Sequence, residues 1–262
     1  MDNAKPDPLP LEHNVILVLL LSLAAAAWAV LVWHRTGVAI DMTMAPATIG
    51  LRPLLYLAIW VVMMVAMMVP TAAPMILAYH REQAGEQLTN QAFVSTWVFV
   101  AAYLLVWALA GIVIFVGVLA AKVSGVRTGV TTAEGGGIIL MMAGLYQLTP
   151  LKEFCLAQCR TPIDFIKTSW HEGIAGAFHT GLIHGLYCLG CCWMLLIILF
   201  PLGMSFGAMA AVTLIILAEK MLPWPRVAPY TAALILVLYG ALMSVTPQLF
   251  PAPTELPMPT RL

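Results

Sequence analysis

The chain has 262 residues, of which 62% are hydrophobic and 9% are charged, and its formal net charge is zero. A soluble globular protein has about 25% charged residues, so this composition, with a mean hydropathy of +0.95, predicts an integral membrane protein. The neutral balance and the lack of a long basic run give no indication of a nucleic-acid partner. The expected surroundings are a lipid bilayer.

Apolar segments alternate with short polar connectors along the sequence. A membrane-spanning helix needs about 17–25 residues, and seven segments approach or exceed this length. They are residues 14–33, 53–79, 92–121, 135–150, 173–200, 206–221 and 228–247. The fourth and sixth are near the minimum, so six spans is the alternative to the preferred seven.

This pattern predicts an all-α fold, a polytopic transmembrane helical bundle. A polar N-terminal segment (1–13) precedes a single membrane domain (14–250), and a proline-rich flexible tail (251–262) follows it. Seven Lys and Arg residues lie on the N-terminal side of a seven-span arrangement and five lie on the other side. The positive-inside rule then favours a cytoplasmic N-terminus.

The second segment is rich in methionine. On a helix that turns about 100° per residue, Met64, Met67, Met68 and Met75 lie within one stripe about 100° wide. Pro70 interrupts this face and disturbs the carbonyl of Ala66, four residues earlier, and Pro74 disturbs that of Pro70. Thioethers are soft donors that suit Cu(I), although methionine also fills irregular gaps between packed helices.

The longest connector, residues 151–172, contains Cys155 and Cys159 in the stretch "CLAQC". If the connector is helical, this i, i+4 pair faces one way and could act as an outer transfer site. Helical i, i+4 geometry suits a disulfide poorly. A cytoplasmic location would also keep both thiols reduced.

The fifth segment concentrates soft ligands in "GLIHGLYCLGCCW", residues 181–193. With His184 at 0°, helical geometry places Cys188 at about 40°, Cys191 at about −20° and Cys192 at about 80°. Cysteine also packs as a small hydrophobe between membrane helices. Three cysteines and a histidine on one face nevertheless indicate metal or thiol chemistry, because ionisable groups inside a membrane are costly and usually functional.

This stripe cannot form one closed site by itself. His184 and Cys192 are about 12 Å apart along the helix axis, farther than ligands about 2.0–2.3 Å from one ion can reach. His184, Cys188 and Cys191 can share an ion, and Cys192 then points towards another ligand set. Other segments must therefore contribute.

The remaining polar residues give weaker signals. His80, His171 and His179 are expected to be solvated or interfacial, and Glu219 with Lys220 to be an interfacial pair. No GxSxG, HExxH, P-loop or dinucleotide-binding motif is present. The sequence does not decide whether the protein is an enzyme, and it favours a protein that is not.

Several stretches together resemble a bacterial family of predicted metal-binding integral membrane proteins of unassigned function. They are "MMVAMMVPTAAPM" (63–75), "AGLYQLTPLKEFCLAQCRTP" (143–162), "GLIHGLYCLGCCWMLL" (181–196) and "EKMLP" (219–223). The resemblance covers roughly residues 55 to 225. The resemblance implies a membrane fold that binds a metal, and it does not indicate a particular reaction.

These observations predict a multi-pass protein of the bacterial cytoplasmic membrane that handles a soft transition metal. Cu(I) is the preferred metal, and other soft transition metals are the alternative. The core ligands would be His184, Cys188, Cys191 and Cys192, with the four methionines and the Cys155–Cys159 pair as further sites. A metallochaperone or a membrane enzyme is the expected partner. The alternatives are a membrane thiol–disulfide oxidoreductase and a structural or accessory subunit whose cysteines only pack helices.

Overall fold

A computed structural model describes residues 10–37, 52–86, 89–123, 133–169, 173–224 and 226–246. Within these ranges all regular secondary structure is helical, as the sequence predicted. The helices are α1 (Pro10–Gly37), α2 (Arg52–Glu86), α3 (Thr89–Val123), α4 (Ala133–Tyr146), α5 (Pro150–Arg160), α6 (Pro162–Thr168), α7 (Gly173–Ile197), α8 (Phe206–Met221) and α9 (Val227–Val245). The predicted tail, 251–262, lies outside the described residues.

Five of these helices are long and apolar enough to cross a membrane. They are α1, α2, α3, α7 and α9. The shorter α4 has 14 residues and α8 has 16, fewer than the roughly 17 that a span needs. Whether α4 and α8 complete a set of seven spans stays a prediction, as does the division into one membrane domain with two polar ends.

The fourth predicted segment, 135–150, continues past the end of α4 and includes the first residue of α5. α4 ends at Tyr146, whose carbonyl accepts a hydrogen bond from the Thr149 hydroxyl at 2.8 Å, and α5 starts at Pro150. Proline is favoured at the first position of a helix because it has no N–H to leave unsatisfied. The long connector after it is also helical, as α5 and α6, which places the "CLAQC" cysteines on a helix.

The residue contacts divide the chain into two compact units, and the first comprises residues 1–117 and 158–189. In this unit α1 packs along α2, and α6 contacts α2. Pro70 cannot donate to the Ala66 carbonyl, and Trp28 Nε1 of α1 donates to that carbonyl at 3.1 Å instead. Trp60 Nε1 of α2 donates to the Trp107 carbonyl of α3 at 2.8 Å. Hydrogen bonds from two indole rings thus link α2 to α1 and to α3.

The second unit comprises residues 118–157 and 190–262. Here α4 packs along α9, and a Cβ added to Gly137 would lie 2.5 Å from the Gly240 carbonyl oxygen. Small residues allow this close approach, as is common between membrane helices. Ser205 caps α8 by accepting a hydrogen bond from Ala208 N–H at 3.3 Å, and the helix ends two residues before Pro223.

Candidate metal centre

Three buried thiols lie close together on α7. Cys188, Cys191 and Cys192 are each at most 1% exposed, and their sulfur atoms all lie within 4.8 Å of one another. The Sγ atoms of Cys191 and Cys192 are 3.1 Å apart. Among the described residues this is the one group of three or more His, Cys, Asp or Glu side chains close enough to hold a metal ion. We call these three residues the thiol cluster.

The geometry of the thiol cluster suits a soft metal ion. Metal–sulfur bonds of about 2.3 Å allow two ligating sulfurs to be at most about 4.6 Å apart, so the observed separations need little adjustment. None of these three cysteines forms a disulfide bond. Because they lie on one uninterrupted helix, their mutual placement is fixed by the helical period. Sulfur donors without hard oxygen ligands favour Cu(I) over harder cations.

The structure groups the predicted ligands differently from the sequence geometry. Cys192 lies with Cys188 and Cys191, whereas the sequence assigned it to another ligand set. His184 is outside this group of thiols. Its buried ring lies against three aromatic rings, Phe99, Tyr103 and Phe165, at centroid distances of 5.8, 5.5 and 5.6 Å. Its role as a ligand stays a prediction.

Tyr103 of α3 is a neighbour of the thiol cluster that the sequence did not reveal. Its hydroxyl is 3.2 Å from Cys188 Sγ, and its ring stacks beside His184. A hydrogen bond to a ligating sulfur orients the ligand and tunes the metal. No motif marks Tyr103, because its proximity depends on how α3 packs against the first part of α7.

The four predicted methionines form a buried row on α2. Met64, Met67 and Met68 are 0% exposed and Met75 is 2% exposed. α2 is helical through both prolines, so the row runs about 16 Å along its axis. We call these four residues the methionine row. Their burial is compatible with packing and with metal binding, so their role as ligands stays a prediction.

Cys155 of α5 lies against α7 beside the thiol cluster. A Cβ added to Gly190 would be 2.7 Å from Cys155 Sγ, and the Tyr146 hydroxyl donates to the Gly190 carbonyl. Burial raises the pKa of the Cys155 thiol, so metal binding there must displace a firmly held proton. Cys159, one turn later on α5, is also buried.

Gly190→Ala is expected to displace the Cys155 side chain, because the new methyl group would occupy the space of its sulfur. We expect alkylation of Cys155 by N-ethylmaleimide, followed by mass spectrometry, to become several-fold faster. Gly207→Ala is the matched control, since nothing lies within 4 Å of a Cβ at that position. Equal Cys155 alkylation in the two variants would mean that Gly190 does not hold this contact.

A buried ion pair joins α5 to α8. Lys152 Nζ donates to Glu219 Oε2 at 2.8 Å, and both side chains are 1% exposed. The sequence predicted an interfacial Glu219–Lys220 pair and did not reveal the pairing of Glu219 with Lys152; both Glu219 and Lys220 are buried. The two partners are 67 positions apart, and their opposite charges at the edges of apolar runs were the one available signal.

A family model described as copper chaperone, PpoB2, matches residues 57–243. The chain belongs to the PpoB2 copper chaperone family. The match contains every predicted ligand position and supports the expected kinship with a metal-handling family, here a copper-related one. No curated protein and no solved structure matched the chain.

Family membership and the thiol cluster together point to copper handling. The PpoB2 match names the metal, and the thiol cluster provides three soft donors that suit its reduced ion. The five long apolar helices have the length and composition needed to cross a membrane.

Proposed function

We propose that this protein binds Cu(I) within the bacterial cytoplasmic membrane and passes it on, by delivery to a partner or by translocation. The thiol cluster carries this proposal, because three buried thiols within 4.8 Å on one helix form a ready soft-metal site. Ligating thiols must lose their protons, and the positive charge of Cu(I) would offset part of the thiolate charge that this leaves buried.

The other predicted residues take secondary roles in this proposal. His184 borders the thiol cluster one helical turn before Cys188 and completes the ligand set when an ion is bound. The methionine row provides weaker thioether positions along α2. Cys155 and Cys159 form an outer site on α5, from which copper reaches or leaves the thiol cluster.

Delivery is favoured over permanent storage because soft donors are spread over three helices, α2, α5 and α7. A structural site needs one closed ligand shell, whereas passage needs several sites that each release the ion. A copper-carrying protein or a copper-dependent membrane enzyme is the partner that this arrangement suits.

The proposal is tested by metal analysis of protein purified in detergent without oxygen. After loading with Cu(I) and removal of excess metal, we expect about one tightly bound Cu(I) per chain, held by reduced cysteines that resist alkylation. Sub-stoichiometric copper would contradict the proposal. Reversible disulfide formation in the metal-free protein would instead support the thiol–disulfide oxidoreductase alternative.

Replacing all four members of the methionine row by leucine is expected to slow copper passage while leaving the thiol cluster loaded. Methionine and leucine have similar volumes, so the fold should tolerate the exchange. In proteoliposomes with an internal Cu(I) indicator, we expect uptake to slow by at least about tenfold, equivalent to a barrier increase of roughly 1.4 kcal/mol.

Met142→Leu is the control for this experiment, because Met142 is 52% exposed and lies outside the methionine row. If liposomes with the parent protein take up copper no faster than empty liposomes while the protein still binds copper, translocation is excluded and delivery to a partner is the function that stays proposed. Unchanged uptake in the fourfold variant would show that the methionine row only packs α2.

A further inference from the structure

A second group of polar side chains lies where α1 begins and α2 ends, away from the thiol cluster in the sequence. Glu12 is in the first turn of α1, and His80 is near the end of α2. His80 is 1% exposed, although the sequence suggested a solvated or interfacial histidine. Its Nε2 atom is 3.7 Å from Glu12 Oε2.

The hydrogen bonds around His80 determine which ring nitrogen carries the proton. The Thr96 hydroxyl donates to the Ala92 carbonyl at 2.8 Å, so its single hydrogen is already used. His80 Nδ1 lies 3.0 Å from the same hydroxyl oxygen, so the tautomer that suits both contacts has the proton on Nδ1. In the neutral imidazole this leaves a lone pair on Nε2, directed away from Thr96.

In that neutral tautomer the His80 Nε2 lone pair faces the Glu12 carboxylate. An imidazolium–carboxylate hydrogen bond would be about 2.7–2.9 Å long, much shorter than the observed 3.7 Å. His80 Nε2 has no hydrogen-bond partner within the described part of the chain. A buried acceptor in this position calls for a cation between the two groups.

The separation of the two atoms suits a bound metal ion. Zinc bonds to histidine nitrogen and to carboxylate oxygen are about 2.0–2.2 Å long, so one ion can hold two such atoms up to about 4.2 Å apart. The observed 3.7 Å is within this range. Imidazole with carboxylate is a donor set for borderline divalent ions, unlike the sulfur donors of the thiol cluster.

Two more donor atoms lie in the neighbourhood. His13, next to Glu12 on α1, is close enough to His80 to interact electrostatically, and its buried Nδ1 has no hydrogen-bond partner among the described residues. Gln83, one turn after His80, is fully buried and donates from Nε2 to the Tyr79 hydroxyl at 2.8 Å. Its Oε1 is likewise unpartnered in that part of the chain.

We propose that Glu12 and His80 form a second metal site, for a divalent transition-metal ion of the Zn(II) class, that clamps the start of α1 to the end of α2. Glu12 is 28% exposed, so an ion can reach the pair from outside. His13 and Gln83 are candidates for further donors. The site does not depend on Cu(I) binding at the thiol cluster, because it uses a different donor set on different helices.

The test uses the full-length protein with its cysteines reduced and Co(II) as a spectroscopic probe for the Zn(II) class. Co(II) bound to cysteine shows sulfur-to-metal charge-transfer absorption, whereas Co(II) bound to nitrogen and oxygen does not. We expect one equivalent of Co(II) to bind without charge-transfer absorption, and Zn(II) to displace it and raise the thermal unfolding midpoint.

Glu12→Gln removes the negative charge with almost no change of shape. We expect it to lower the affinity for this Co(II) ion by at least about tenfold, because loss of a single supporting group often has an effect of this size in metal sites. His80→Ala should abolish it, and His179→Ala, which removes an exposed histidine, should leave it unchanged. Parent protein that binds no such ion, or Glu12→Gln and His80→Ala variants that bind like the parent, would overturn the proposal. His80 and Glu12 would then be an ion pair held by a proton.

Discussion

Protein carrying Cys188→Ser together with Cys191→Ser is expected to lose tight Cu(I) binding. Serine keeps the size of cysteine but offers a hard hydroxyl, and one thiol of the cluster cannot hold the ion alone. Groups that only hydrogen-bond to a ligand are worth about 10–100-fold in metal affinity, so removing two direct ligands should cost more than about 100-fold. Competition with a Cu(I) chelator of known affinity, under nitrogen, measures the change.

Cys159→Ser is the matched control, because it removes one buried thiol and leaves the thiol cluster intact. Its copper stoichiometry at the cluster should equal that of the parent. Copper binding that survives in the double variant with parental affinity would place the site elsewhere. It would also favour the alternative that the α7 cysteines only pack helices.

That the three cysteines of the thiol cluster share one face of a helix could be predicted from the sequence, although the sequence geometry assigned Cys192 to another ligand set. Residues 188, 191 and 192 are three and four positions apart or adjacent, so the helical period alone brings their side chains to one face. The position of His184 could not be deduced in this way. Its ring lies against Phe99 and Phe165, and the packing of α3 and α6 around it is a tertiary property.

The helices themselves were largely predictable from apolar length and from proline positions. The predicted segment 206–221 has the same bounds as α8, and segment 173–200 differs from α7 only at its end. The end of the fourth segment was predicted at residue 150, whereas α4 ends at Tyr146, because Gln147 and Thr149 do not interrupt an apolar stretch strongly enough to mark the end of a helix. Trp28 donates to the Ala66 carbonyl from 38 positions away, so this hydrogen bond also could not be predicted from the sequence.

Pairs of polar side chains that join different helices were the least predictable features. Lys152 with Glu219, and Glu12 with His80, join residues that are 67 and 68 positions apart and lie on different helices. In the sequence, each of these residues is a polar group at the margin of an apolar segment. Its interaction partner cannot be predicted there, because only the packing of the helices brings the two side chains together.

Lys152→Met is expected to destabilise the protein by about 3–5 kcal/mol, because it leaves the Glu219 carboxylate buried without its cation. Methionine has nearly the length of lysine, so packing is largely preserved and the loss is electrostatic. The destabilisation should be largest at high pH and smaller as the pH falls, since protonation removes the uncompensated charge. Unfolding by sodium dodecyl sulfate in mixed micelles, followed by circular dichroism, measures the free energy.

The neighbouring residue Glu153 provides a matched control on the same helix. It forms an exposed ion pair with Arg226 at 3.9 Å, with side chains 72% and 76% exposed. Pairs of this kind contribute less than about 1 kcal/mol, so Glu153→Ala should change stability little. Adding Glu219→Leu to Lys152→Met should restore most of the lost stability, because replacing both partners of a buried pair by apolar residues is often neutral. If the double variant were as unstable as Lys152→Met, lost packing rather than the unpaired carboxylate would be the cause.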